Sequence, residues 1–324
     1  MLFGLHCLTF AISHVMPGDP ARLAAGPDAN ESMVDTLRAK YGLDRPLGVQ
    51  FVRYLGGVAV GDLGRSLRSR NAVLDDLLRY FPNTFELVTL ALLLAVVVGA
   101  PFGMLSAVYQ NTWIDHVTRV VSVSGVALPA FWLGLMLQFL VALHLGWLPL
   151  GGRLGLTASP PAPITHLLFV DALLRGEWRT FADAAAHAVL PVITLCFPAL
   201  ASIMRVNRAE MLETLRQDYI VTARAQGFSG FRVVTRYALR NAMIPTLTMI
   251  GLRYGWMLGG TVLVETVFDW PGIGLYAVSA AVSSDFQPIM GVTLVIGLNF
   301  MLANLLVDLA YGWLDPRIRR TSLT

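Results

Sequence analysis

Apolar residues gather along this chain into long runs with few polar interruptions, not into the one-sided i, i+3, i+4 stripe of a soluble helix. The runs 85–109, 120–143, 188–204, 242–264 and 288–313 match the ~20 residues that a helix needs to cross a bilayer. Each predicts a membrane-spanning helix. A sixth run, 1–15, is apolar but short and lacks the basic leader of a signal peptide. It reads as the second half of a first spanning helix truncated at its start.

Polar punctuation fills the gaps between the runs. Segment 16–82 holds a PGDP turn at 17–20, a helical pattern over 31–41, and turn-forming YGLDRP and VGDLGRS stretches. It predicts a small folded cap on the outer side of the membrane. Segments 145–187 and 265–287 lie between spans on that same side.

Composition agrees with a membrane protein: of 324 residues 55% are hydrophobic and 14% charged, against roughly 25% charged in soluble domains. Mean hydropathy is +0.61. The net charge of +3 comes from arginines in loops, which predicts a lipid bilayer, not nucleic acid, as the polar partner. Arg205, Arg208, Arg216, Arg224, Arg232, Arg236 and Arg240 crowd segment 205–241, and Arg317, Arg319 and Arg320 the tail 314–324. The positive-inside rule puts both segments, and the complete N-terminus, in the cytoplasm.

Enzymatic chemistry finds no support. The one lysine, Lys40, is followed by Tyr41, which excludes a Gly-rich phosphate loop ending in Lys-Ser/Thr. The histidines form no HExxH pattern, Cys7 and Cys196 stand far apart inside apolar runs, and no GxSxG occurs. The expectation is a chain with no catalytic residue, no metal and no cofactor of its own.

Arg253 stands in the middle of the run 242–264, where an arginine costs roughly 2.5–3.5 kcal/mol. Two readings stand: it lines a translocation path and meets anionic groups of the cargo, or it forms a structural pair within or between subunits. Gly251, Gly255 and Gly259 recur every four residues on the same run, a stripe that suits close helix packing. Further along, the segment VFDWPGIG carries Glu265, Asp269, Trp270, Pro271 and Gly272. It reads as a pathway gate on the outer side or as a re-entrant packing loop.

The stretch YIVTARAQGFSGFRVVTRYALRNAMIP at 219–245 reads as helix, sharp turn, helix. Gly227 suits a left-handed cap, Ser229 can cap the second helix, and Arg232, Arg236 and Arg240 line one of its faces. Small residues at Ala223, Ala225 and Gly227 would let a partner approach closely. The alternative is a loop whose arginines only set orientation and meet anionic lipid.

TARAQG at 222–227 followed by RYALRNAMIP at 236–245 resembles the coupling loop of permease subunits in binding-protein-dependent ABC importers. The dipeptide/oligopeptide/nickel subgroup is the nearest, with the dipeptide and glutathione permeases most similar. MPGDPARL at 16–23, YGLDRPL at 41–47, GDLGRS at 61–66, HAVLPVITL at 187–195, VETVFDWPGIG at 264–274 and NLLVDLAYGWLDPRIR at 304–319 agree with it in order. Where the family carries its name-giving glutamate this chain has Val221.

The resemblance implies an all-α polytopic membrane protein with the six-span type I permease fold and a small periplasmic cap after the first helix. On that reading the transmembrane domain covers 83–313. It also implies a bacterial inner-membrane subunit paired with a second homologous permease, two cytoplasmic ATPases that bind ATP and Mg, and a periplasmic solute-binding protein. The coupling helix would comprise Tyr219, Ile220, Thr222, Ala223, Arg224, Ala225, Gln226, Gly227 and Phe228. Short peptides are the expected cargo, with glutathione or a nickel complex as alternatives. An ATPase-independent carrier is the competing class, disfavoured by the scarcity of acids deep in the spans.

Overall fold

The computed structural model describes residues 2–15, 20–25, 29–42 and 44–314. The turn at 16–19, Leu43 of the YGLDRPL motif and the tail arginines Arg317, Arg319 and Arg320 lie outside them. Among the described residues the regular elements are helical: α1 (Leu2–Val15), α2 (Pro20–Ala25), α3 (Glu31–Tyr41), α4 (Leu47–Ala59), α5 (Val73–Val108), α6 (Trp113–Ala127), α7 (Ala130–Leu137), α8 (Leu168–Arg175), α9 (Trp178–Thr214), α10 (Asp218–Ala225), α11 (Gly230–Arg232), α12 (Leu239–Val267), α13 (Ile273–Val282) and α14 (Phe286–Leu314). Two π-helical stretches, Gln138–His144 after α7 and Val233–Ala238 between α11 and α12, prolong helices without breaking them.

Four of these helices are long and apolar enough to cross a membrane, and α6 with α7 makes a fifth crossing if the bent pair is one span. The straight span expected over 120–143 is corrected: α6 and α7 meet at 106°. Pro129 has no N–H to give and forces Leu128 out of the helical region, to φ −83°, ψ 127°. The first long span also begins earlier than its apolar run, at Val73 instead of 85. Its first turns are amphipathic, with Val73 and Leu77 buried against Ile273, Tyr276 and Val292, so hydropathy alone misses them.

The bundle is organised around α9, which packs against α5, α6, α7, α8 and α12. Small residues allow this crowding. A Cβ on Gly103 of α5 would fall 2.6 Å from the Met204 carbonyl oxygen, and one on Gly125 of α6 would fall 2.4 Å from the Ala201 Cβ. Helices in lipid gain their contact energy from such close approach. Asn207 adds polar cross-links, donating to the Ala100 carbonyl at 2.6 Å and accepting from Thr246 at 3.4 Å.

Within 16–82 the helix expected over 31–41 is present as α3, which Asn30 caps by accepting from the Met33 N–H at 3.0 Å and which Gly42 ends at φ +67°. α4 fills the stretch between the two expected turns, for which the sequence suggested no element. Tyr54 of α4 reaches His6 of α1 at 2.9 Å, and the Phe51 ring meets Phe3 edge-on and Phe10 at a tilt.

Candidate functional site

At one end of the bundle α10 lies across the ends of α5, α9 and α12. Its inner face is Ile220 and Ala223, both buried, packed with Ala107, Met211, Val233, Ala238 and Ala242. Its outer face carries Tyr219, Val221, Thr222, Arg224, Ala225 and Gln226, all exposed. The spacing of 220 and 223 accounts for this division. Ala223 was expected on the approachable surface; it faces the chain's own core instead, where a larger residue would strike the α9–α12 packing.

The turn after α10 is closed by Gly227, whose N–H bonds the Arg224 carbonyl at 3.0 Å while its φ is +79°. Nothing lies within 4 Å of a Cβ placed there. Glycine is needed at 227 for its backbone, not for space. Phe228 then folds onto Tyr237, rings 5.6 Å apart and stacked, and the Arg232 guanidinium sits 4.8 Å above the Phe228 ring. Asn241 Nδ2 donates to the Tyr219 hydroxyl oxygen at 2.6 Å. These contacts brace both ends of α10 on the helix that becomes α12.

That helix corrects a second expectation. Instead of a second helix separate from the span, residues 230–267 run without interruption through the π-helical turns at Val233–Ala238, and Arg232, Arg236 and Arg240 all stay exposed. Phe231 is 80% exposed while Val233 is buried, because positions two apart lie on opposite sides of a helix.

Beside this end, Asp115 of α6 is fully buried, and its carboxylate accepts from three side chains and one N–H. Arg208 of α9 grips it twice, Nε to Oδ1 at 2.7 Å and Nη2 to Oδ2 at 3.0 Å. Arg119 Nη2 and the Ser106 hydroxyl approach at 2.7 Å and the Asn111 N–H at 2.9 Å, and Ser106 in turn accepts from Thr118 at 2.8 Å. The knot joins α5, α6 and α9. No motif announced it, since Asp115 and Arg208 are 93 positions apart.

At the opposite end, segment 265–274 is built into the bundle. Glu265 is fully buried; its Oε1 accepts from the Thr84 hydroxyl at 2.6 Å, and its Oε2 accepts from the Gly274 and Leu275 N–H groups at 2.7 and 3.0 Å. A carboxylate thus caps the first turn of α13 from another helix. Gly272 permits it, since a Cβ there would lie 2.3 Å from Glu265 Oε1.

Trp270 is fully buried and donates from Nε1 to the Asn83 carbonyl at 3.1 Å, while Asn83 Nδ2 donates to the Pro271 carbonyl at 2.6 Å. Arg153 pairs with Glu86 and holds its guanidinium 5.9 Å from the Trp270 ring. Asp269 is exposed, with φ +49°. Asn83, Thr84 and Arg153 hold this segment, and sequence reading missed all three because each acts through a distant partner.

The glycine stripe divides. Cβ atoms on Gly251 and Gly255 would collide with Val307 and Phe300 of α14, whereas Gly259 and Gly260 have nothing within 4 Å. Arg253 is half-buried, on the side of α12 turned away from α14.

Comparison with known proteins places these features in context. The family described as "Binding-protein-dependent transport system inner membrane component" matches residues 99–320, and its N-terminal companion, a transport-system membrane component, matches residues 1–88. A probable D,D-dipeptide transport system permease protein of Escherichia coli K12 is 48% identical over 317 residues, 98% of this chain and 93% of that relative. The dipeptide transport system permease protein of the same strain is 41% identical over 98% of this chain and 94% of its own length. A glutathione transport system permease protein of Escherichia coli O6:H1 is 38% identical over the same shares.

Proposed function

The chain belongs to the family of binding-protein-dependent transport system inner membrane components, a multi-pass permease subunit, and from that premise we propose that it forms half of a path for short peptides. The relatives named for D,D-dipeptide, dipeptide and glutathione transport support this cargo, because glutathione is itself a small peptide. A second homologous permease completes the path, a solute-binding protein delivers the cargo, and two ATPases that bind ATP and Mg drive it. α1 packs against α14, where part of a sixth span would stand beside the four long helices and the bent pair.

The observation that carries the reading is α10: one face fastened to three helix ends, the other exposed and free to meet a partner. That is the form of a part that receives force from outside and passes it inward. The arginine-rich α10 end and the C-terminal tail face the cytoplasm, so α10 meets the ATPases there. At the periplasmic end Glu265, Trp270, Pro271 and Gly272 close the bundle, and exposed Asp269 is offered to the binding protein.

Ala225→Trp and Val221→Asp change only the outer face of α10 and test this directly. Both variants should insert normally, lose co-purifying ATPase and lose coupled uptake. Full uptake by either, or uptake by this chain alone in liposomes without ATPases, overturns the proposal.

A further inference from the structure

Arg253 is the central residue of the 29-residue α12, at the depth where an unpaired charge is most costly. At 100° per residue it points away from Gly251 and Gly255, which seat against α14. Its own side of the helix carries buried Met257 and Thr246, packed toward α9, and beside them Trp256, 75% exposed, and Gly260, which nothing covers, so Arg253 lies at the edge of that packing. It therefore borders a surface that this chain alone does not fill.

A second cation stands nearby. Arg205 of α9 is exposed. The Asn207–Thr246 contact registers the two antiparallel helices, placing Arg205 about 7.5 Å further toward the α10 end than Arg253. Neither arginine takes part in an ion pair among the described residues.

Acids on the surrounding helices are otherwise engaged or misplaced. Glu86 is paired to Arg153, Asp115 to Arg208 and Arg119, and Glu265 is held by Thr84 and α13. Glu210 and Glu213 lie beyond Arg205 toward the end of α9, and Asp308 is on α14, across the helix from Arg253.

We propose that Arg253 and Arg205 form a two-step carboxylate subsite in the path, which takes the C-terminal carboxylate of a peptide at mid-membrane and hands it toward the cytoplasm. Two repelling cations without an acid between them bind an anion more strongly together than either does alone, and an arginine fork fits a carboxylate. The inference rests on the peptide-permease reading and adds the group of the cargo that is recognised.

The test uses the complete importer in ATP-loaded proteoliposomes, with binding protein saturated by one peptide supplied as free acid or as C-terminal amide. Wild type should carry the acid about tenfold faster than the amide, the worth of one charge-assisted hydrogen bond. R253Q and R205Q should each slow the acid selectively and collapse that preference, while R253K keeps most of it.

An unchanged preference in R253Q overturns the proposal, and so does equal slowing of both cargoes with loss of the second permease, which assigns the arginine to a partner carboxylate. A second reading needs no amide. In a C7S/C196S background, R253C should react faster with an anionic than with a cationic thiosulfonate, and R205Q should erase the difference; equal rates refute the subsite. If wild type carries neither cargo, the peptide reading itself fails.

Discussion

Asp115 is a carboxylate without solvent contact whose oxygens are used by two arginines, a hydroxyl and an N–H. Removing it leaves Arg208, 21% exposed, and the Ser106 hydroxyl without their shared acceptor, a loss of about 1–3 kcal/mol. Asp115→Ala should therefore lower the thermal unfolding midpoint of the purified protein clearly. Arg119→Ala should lower it far less, because Arg119 is 46% exposed and its pair is weakened by water.

Asp171 offers a contrast that titrates. Burial alone would raise its pKa, but the hydroxyl and N–H of Thr165 and the N–H of Ile164 outweigh burial and hold it below the usual carboxylate range. A depressed folded value stabilises at neutral pH and is lost as pH falls below the unfolded value of about 4. Hydrogen exchange in 164–171, corrected for intrinsic rates, should accelerate below that pH and should be pH-insensitive in Asp171→Asn.

At the scale of elements, the braces on α10 matter more than the helix itself. Phe228 on Tyr237, Arg232 on Phe228 and Asn241 on Tyr219 make α10 and the base of α12 one lever. Phe228→Ala with Tyr237→Ala should leave ATPase binding intact while lowering peptide moved per ATP hydrolysed severalfold. An unchanged ratio would show that α10 transmits through its buried face alone.

How much of this could be read beforehand follows from what each feature depends on. The spans, the α3 helix and the Gly227 turn were legible because apolar runs, an Asn30 cap and a glycine at positive φ are local signals. The 106° bend had a local cause in Pro129, though the apolar run masked it. The inward position of Ala223, the π-helical turns and the Glu265–Thr84 bond were not legible, since each is decided by what packs on it from far along the chain.

For the whole molecule, the two ends are fastened differently. The α13 end is held by buried hydrogen bonds of Asn83, Thr84, Glu265 and Trp270. It is reinforced where Ser66 and the Leu67 N–H donate to Asp285, both at 2.7 Å. The α10 end has an exposed face awaiting something else. Replacing Thr84 by Val removes a donor and an acceptor at once, and the buried Glu265 carboxylate loses a partner. That should cost about 1–3 kcal/mol, visible as a lower unfolding midpoint with ATPase binding preserved.

The dependence of so many helices on α9 also bears on how the protein is made. During synthesis α5, α6 and α7 enter the bilayer before α9 exists, with Gly103 and Gly125 facing lipid in place of Met204 and Ala201. Until the ribosome has passed Thr214 the nascent chain holds a half-built bundle. Ribosome-arrested chains ending before α9 should thus be prime targets for membrane quality-control proteases, and chains ending just beyond it should escape them.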